Sequence, residues 1–195
     1  MTSCLGIDVG IRNLSYCVLQ RDEKHTYKIR EWKLIDVMSR CDMSDTSCKK
    51  LTSGQIHDIA DFILPSIFPP EFLTRYQIAH VSIEQQPHGK YGNQKIILFS
   101  HLFYDYFAKL RNAQTWGSCL TSVVFTGAAQ KYNSTWLQQH VIPKPKTYPQ
   151  RKSTSIKLCQ KLCTLYELTA LPQDSKRDDL ADSFLLALVV WERWS

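Results

Sequence analysis

The stretch Leu5-Gly6-Ile7-Asp8-Val9-Gly10-Ile11-Arg12-Asn13-Leu14-Ser15-Tyr16-Cys17-Val18-Leu19 constrains the fold more than any other. It reads as an apolar strand, a tight glycine-containing turn and a second apolar strand, with one carboxylate near the end of the first. A lone acid among Leu, Ile and Val is costly to bury as an ion unless a cation or hydrogen-bond donors meet it. Asp8 is therefore either a turn aspartate capping its own hairpin or a metal ligand, and only partners elsewhere in the chain decide between the two.

Further along, Tyr27 to Val37 alternates as a third strand, and Ser39 to Lys50 is polar and irregular, as a loop would be. From Thr52 the period changes: Ile56, Ile59, Ala60, Ile63, Leu64 and Ile67 recur at helical spacing until Pro69-Pro70 stops them. Ile78 to Ile83 is a short apolar run, the pattern of a buried strand, with Glu84 at its carboxyl end. A Pro- and Gly-containing loop leads to Gln94–Leu110, a helix apolar nearly all round, which predicts burial on more than one face and packing against a second subunit. Ser122 to Phe125 reads as a fifth strand, Thr126 to Lys131 as a turn and Tyr132 to Val141 as a short helix. Pro143 to Lys152 carries three prolines and is expected to be an exposed basic loop. Helices follow from Ser153 to Tyr166 and from Asp178 to the end.

Strands joined by short turns pair antiparallel, and strands separated by helices pair parallel through crossovers. The expected fold is thus α/β, a five-stranded mixed sheet whose first three strands are antiparallel, flanked by helices on both faces. A length of 195 residues suits a single domain, 1–195, large enough to bury a substantial core. No stretch approaches the roughly 20 apolar residues of a membrane span, and a strand pattern opening almost at the first residue leaves no room for a leader, so a soluble chain with no membrane partner is expected. The seven cysteines lack metal-binding C-x-x-C spacing and several sit in apolar runs, which points to buried free thiols in a reducing compartment.

Four acids have positions worth weighing together. Asp8 and Glu84 end the first and fourth strands, and open α/β sheets place ligands at strand carboxyl ends. Asp179 and Asp182 lie three apart, on one face of the last helix. Packed together, such carboxylates repel unless divalent cations sit among them, and an all-oxygen donor set suits Mg²⁺ or Mn²⁺. Two ions about 3.5–4 Å apart would activate a water and stabilise the leaving oxygen of a phosphodiester. Helix-dipole complementation accounts for Asp178 and extends to Asp179, but not to Asp182, which is deeper in the helix between Ala181 and Phe184.

Gly6-Ile-Asp8-Val-Gly10-Ile-Arg-Asn13, Ile83-Glu84-Gln85-Gln86-Pro87 and Lys176-Arg-Asp-Asp179-Leu-Ala-Asp182-Ser together resemble the RuvC-type Holliday junction resolvases of the ribonuclease H-like superfold. Within that family the likeness is to the group of fungal mitochondria, poxviruses and other large DNA viruses, and Gln86-Pro87 is of the large-virus type. The resemblance implies a homodimer that binds a four-way DNA junction and makes paired symmetric nicks by Mg²⁺-dependent hydrolysis, two ions per site, with no small-molecule cofactor. It implies Asp8, Glu84, Asp179 and Asp182 as the catalytic, metal-binding acids, Asp8 bridging the ions.

The net charge is +6. Its densest segment, Lys144, Lys146, Arg151, Lys152, Lys157 and Lys161, is the expected phosphate footprint, with Lys176 beside the acids. The loop after Glu84 supplies Gln85, Gln86, Lys90 and Tyr91 for contact with, or stacking on, junction bases. Two rival readings share these features: a ribonuclease H or integrase-like nuclease with another substrate, and a non-catalytic DNA-binding factor on the same fold. An actin-like ATPase, which opens with a similar motif, needs a second half that this chain is too short to contain.

Overall fold

The computed structural model describes residues 2–24, 26–87, 93–113, 119–132 and 145–194. Strands β1 (Thr2–Asp8), β2 (Asn13–Arg21) and β3 (Tyr27–Asp36) form an antiparallel meander. A short helix α1 (Val37–Arg40), α2 (Ser53–Ile67) and α3 (Pro70–Tyr76) lead to β4 (Ile78–Gln85), then α4 (Gln94–Asn112), β5 (Ser122–Gly127), a single turn α5 (Ala128–Lys131), α6 (Tyr148–Leu165) and α7 (Arg177–Trp194). The sheet order is β3-β2-β1-β4-β5, with β4 parallel to both β1 and β5. This is the mixed sheet the strand spacing predicts.

Alternation along the strands divides the core in two. Leu5, Ile7, Tyr16, Val18, Val81 and Ile83 face α2, α3 and α4, while Cys4, Cys17 and Leu19 face α6 and α7. Successive side chains point to opposite faces, so Gly6 and Asp8 lie on the α7 side. A Cβ on Gly6 would stand 2.1 Å from the Ser183 carbonyl oxygen and 2.4 Å from the Ala187 nitrogen. Glycine here lets the backbone of α7 rest directly on β1. Trp32 on β3 fastens the same helix, its Nε1 donating to the Leu180 carbonyl at 3.0 Å while its ring packs 5.5 Å from that of Phe184. A second glycine shapes the hairpin, for a Cβ on Gly10 would stand 2.3 Å from the Asn13 carbonyl oxygen.

Several local expectations require correction. Helix α2 starts in a Thr52–Gln55 capping box and ends before Pro69-Pro70, but Pro70 then opens α3, since a proline in the first helical turn gives up no hydrogen bond. The same rule corrects the exposed loop expected from Pro143 to Lys152, which from Tyr148 onward is helix. Thr147 caps α6 with its hydroxyl accepting from the Gln150 amide, Pro149 sits in the first turn, and Arg151 and Lys152 are helical. The loop from Ser39 to Lys50 is interrupted by α1 and a 3₁₀ turn, Cys48–Lys50. Helix α4 buries only the face carrying Phe99, Ser100, Phe103 and Phe107; Ile96, Leu98, Leu102, Tyr104 and Leu110 are half-buried, so the expected burial on several faces is not met within one chain. The helix expected from Tyr132 to Val141 lies outside the described residues beyond Tyr132. All seven cysteines are free thiols, with Cys4, Cys17, Cys159 and Cys163 buried. Among the described residues, no helix is long and apolar enough to cross a membrane.

Candidate active site

The parallel register between β1 and β4 pairs Ile7 with Ile83, so Asp8 and Glu84 each follow a matched residue and turn to the α7 side together. Their carboxyl groups are within hydrogen-bonding reach of one another. Asp182 comes down from α7 opposite them, fixed by the close approach at Gly6. Asp179, one turn earlier on α7, is half-buried, and the Ser15 hydroxyl donates to its carbonyl at 2.6 Å, tying the first turn of α7 to β2.

At the centre stands a residue the strand and helix patterns do not single out. Lys131, from the turn that follows β5, is 1% exposed and places Nζ 2.8 Å from Glu84 Oε1 and 3.1 Å from Asp182 Oδ1. The contact to Glu84 is a hydrogen bond, whereas Asp182 Oδ1 is buried and has no well-directed donor. The available signal is positional: Lys131 closes a turn at the carboxyl end of the fifth strand, the edge where the acids also collect. Tyr132 and Ser155 complete the wall, the two hydroxyls 2.6 Å apart, with Ser155 also hydrogen-bonding Asp182.

The charges are strongly interdependent. Burial, then the neighbouring Glu84 and Asp182 charges, push Asp8 well above the usual carboxylate range. Burial also opposes ionisation of Glu84, yet Lys131 and hydrogen bonds from Asp8, Lys131 and Gln86 hold it below its ordinary value. Asp182 is raised by burial against the pull of Lys131. Burial disfavours the Lys131 ammonium, but Glu84, Asp182 and Asp8 outweigh it and raise its affinity for the proton. Asp179 is pushed up to about 6 by burial and then by Asp178. Asp178 itself pairs with Lys152, and that contact holds it down and raises Lys152.

The four acids open into a cleft of about 810 Å³ lined also by Gly10, Arg12, Gln85, Gln86, Tyr148, Arg151, Lys152 and Lys176. The basic segment therefore splits. Arg151, Lys152 and Lys176 reach the cleft, while Lys146, Lys157 and Lys161 are on the surface and do not line it. Gln85 lies at the rim, and Gln86 Nε2 donates to Glu84 Oε2 at 3.3 Å, steadying a carboxylate. Lys90, Tyr91 and Lys144 lie outside the described residues.

A cluster of hard oxygen donors with neither His nor Cys fits a divalent cation of the Mg²⁺ class, and the undirected Oδ1 of Asp182 is an oxygen such an ion would satisfy. Among the described residues, no group of three His, Cys, Asp or Glu side chains is already gathered at ligand distance, the carboxylates being drawn to the ammonium instead. The fit is one of donor chemistry and position.

The chain matches solved structures over its whole length. Yeast mitochondrial Holliday junction resolvase Ydc2 superposes with a TM-score of 0.69 at 18% identity, over 99% of this chain and 80% of that one. RuvC of Thermus thermophilus gives 0.61 at 16%, over 99% and 96%, and fowlpox virus resolvase bound to Holliday junction DNA gives 0.59 at 21%, over 99% and 99%. At these identities the likeness establishes the fold, that of the ribonuclease H-like resolvases. A search of curated proteins finds no significant match. The family model described as mitochondrial resolvase Ydc2 / RNA splicing MRS1 matches residues 4–162, more than half of the chain, and the protein belongs to that family.

Proposed function

We propose that this chain, as one nuclease domain over residues 1–195, is a Holliday junction resolvase that hydrolyses phosphodiesters with Mg²⁺ held by Asp8, Glu84, Asp179 and Asp182. The observation that carries this reading is the β1–β4 register, which brings Asp8 and Glu84 to one face beneath Asp182, at the floor of a cleft with basic residues on its rim. Bound ions would supply a water of lowered pKa and a counter-charge for the leaving oxygen. The chain's own groups do the rest. Burial and the Gln86 hydrogen bond fix the direction of Glu84, and Gly6 fixes the distance of Asp182 from Asp8. Lys131 supplies a permanent positive charge beside the position of the scissile phosphate, and Arg151, Lys152 and Lys176 hold the strand by its phosphates. The half-exposed apolar residues of α4 support a homodimer, as two opposed nicks require.

A second reading has support of its own. The family includes an RNA-splicing member, and an ammonium already pairing two of the acids is what a non-catalytic binding protein would tolerate. The deciding experiment incubates the protein with a mobile four-way DNA junction, a linear duplex, an RNA–DNA hybrid and a structured RNA, each with Mg²⁺ or EDTA, beside Asp182→Asn. The expected result is paired symmetric nicks in the junction alone, leaving 5′-phosphates and 3′-hydroxyls, absent in EDTA and in the variant. Tight binding without cutting would establish the binding protein, and cutting of the hybrid a ribonuclease H.

A further inference from the structure

Tyr148 has a setting that a surface tyrosine does not need. Its side chain is among the large apolar groups left open to solvent, at 62% exposure, yet it lines the cleft that holds the acids. Two cations flank its ring: the Arg151 guanidinium carbon at 5.6 Å and Lys152 Nζ at 5.2 Å from the centroid. These residues stand at i, i+3 and i+4 in the first two turns of α6, so they form one face. Continuing that face by another turn reaches Ser155, which is buried and hydrogen-bonds Asp182. Lys152 is also held from the opposite wall by its ion pair with Asp178. The ring thus sits beside two cations of its own helix, one of them tied to α7 through Asp178, and still offers open aromatic surface.

Resting on the junction-resolvase reading, we propose that Tyr148 is a stacking platform for a nucleobase of the cleaved strand, with the phosphates beside that base held by Arg151 and Lys152. Alternating aromatic and cationic side chains are what a single strand's alternating bases and phosphates require. Seven helical steps lead from Tyr148 to Ser155, about 10 Å at 1.5 Å per residue. At about 3.4 Å per nucleotide along a stacked strand, the base lies within roughly three nucleotides of the scissile phosphate.

The test measures binding in EDTA and single-turnover cleavage in Mg²⁺ for wild type, Tyr148→Ala, Tyr148→Leu and Tyr148→Phe. Substrates are intact junctions and junctions with one abasic site at each nucleotide within three of the nick. Circular dichroism melts verify folding, which an exposed ring scarcely supports. The Ala and Leu variants should lose about 5- to 150-fold in junction binding or cleavage, and Phe should recover most of it. At one abasic position wild type should lose as much as Tyr148→Ala, and the variant should lose nothing further. An Ala variant equal to wild type overturns the proposal, as does a Phe variant as impaired as Ala, which would assign the effect to the hydroxyl beside Lys152. A loss in Ala that persists at every abasic position also overturns it, since the ring would then serve the backbone. A wild-type protein that neither binds nor cuts any junction fails at the earlier step and removes the resolvase reading itself.

Discussion

Replacing Lys131 by Met tests whether the ammonium balances the acid cluster. At an effective dielectric of about 20, the contacts at 2.8 and 3.1 Å are worth about 6 and 5 kcal/mol of Coulomb attraction, before the cost of dehydrating the ions. Measured losses on breaking a buried pair from one side are about 3–5 kcal/mol, which for a chain of this length is roughly 6–20 °C of melting temperature. Met keeps much of the aliphatic volume, so the loss reports charge. In wild type the Lys131 proton is held more tightly folded than unfolded, so its stabilisation is complete below the ordinary lysine pKa and constant across pH 5–8. In the variant, Asp8, Glu84 and Asp182 face one another uncompensated and take up protons as the pH falls, so its deficit should be largest near pH 8 and shrink toward pH 5. Because the ammonium no longer competes for the carboxylates, a divalent cation should stabilise the variant more than wild type, by about 2.7 kcal/mol at 100 times the variant's dissociation constant against less in wild type. Thermal melts in EDTA and in Mg²⁺ from pH 5 to 8, with Lys157→Met as an exposed control, read all three effects. A deficit below about 2 °C, or one indifferent to both pH and Mg²⁺, would refute the electrostatic account.

Three further outcomes follow from the same geometry. Asp179, raised to about 6, favours its protonated form in the folded state, so its contribution is fully present below the unfolded carboxylate pKa and lost as pH rises through 6. Asp179→Asn should therefore stabilise the metal-free protein at pH 8 by about 1 kcal/mol, discounted for partial exposure, and not at pH 4, as paired melts would show. Gly6→Ala forces a methyl against the α7 backbone at 2.1 and 2.4 Å and should cost at least about 3 kcal/mol by denaturant titration, with cleavage lost as Asp182 moves from Asp8. Ser155→Ala removes hydrogen bonds to Tyr132 and Asp182 and should cost about 1–3 kcal/mol, lowering single-turnover cleavage more than junction binding.

The strands were legible because their period of two breaks cleanly to a helical period at Thr52, and because short turns or helical crossovers dictate the direction of pairing. The convergence of Asp8 and Glu84 was legible for a related reason: each ends an apolar run, and adjacent parallel strands align their ends. Lys131 was not. Lysine in a four-residue turn ordinarily means a solvated charge, and nothing within ten residues shows that Glu84 and Asp182 will be there to meet it, since those contacts span 47 and 51 positions.

The basic segment shows how one misplaced boundary hides a site. Treated as a loop as far as Lys152, the segment leaves Lys146, Arg151 and Lys152 as equivalent members of an unstructured patch and gives the cations that follow no common phase with them. Begun at the Thr147 cap, the same residues acquire a helical phase: Tyr148, Arg151, Lys152 and Ser155 share the face toward the acids, and Lys157 and Lys161 fall outside the cleft lining. The phase predicts that charge removal is not interchangeable. Lys152→Gln should weaken junction binding and also perturb cleavage, because Lys152 pairs with Asp178 beside Asp179, whereas Lys157→Gln should change neither by more than about twofold, the scale of an exposed charge. Equal losses in binding and cleavage for the two variants would show that the segment acts as a diffuse charge after all.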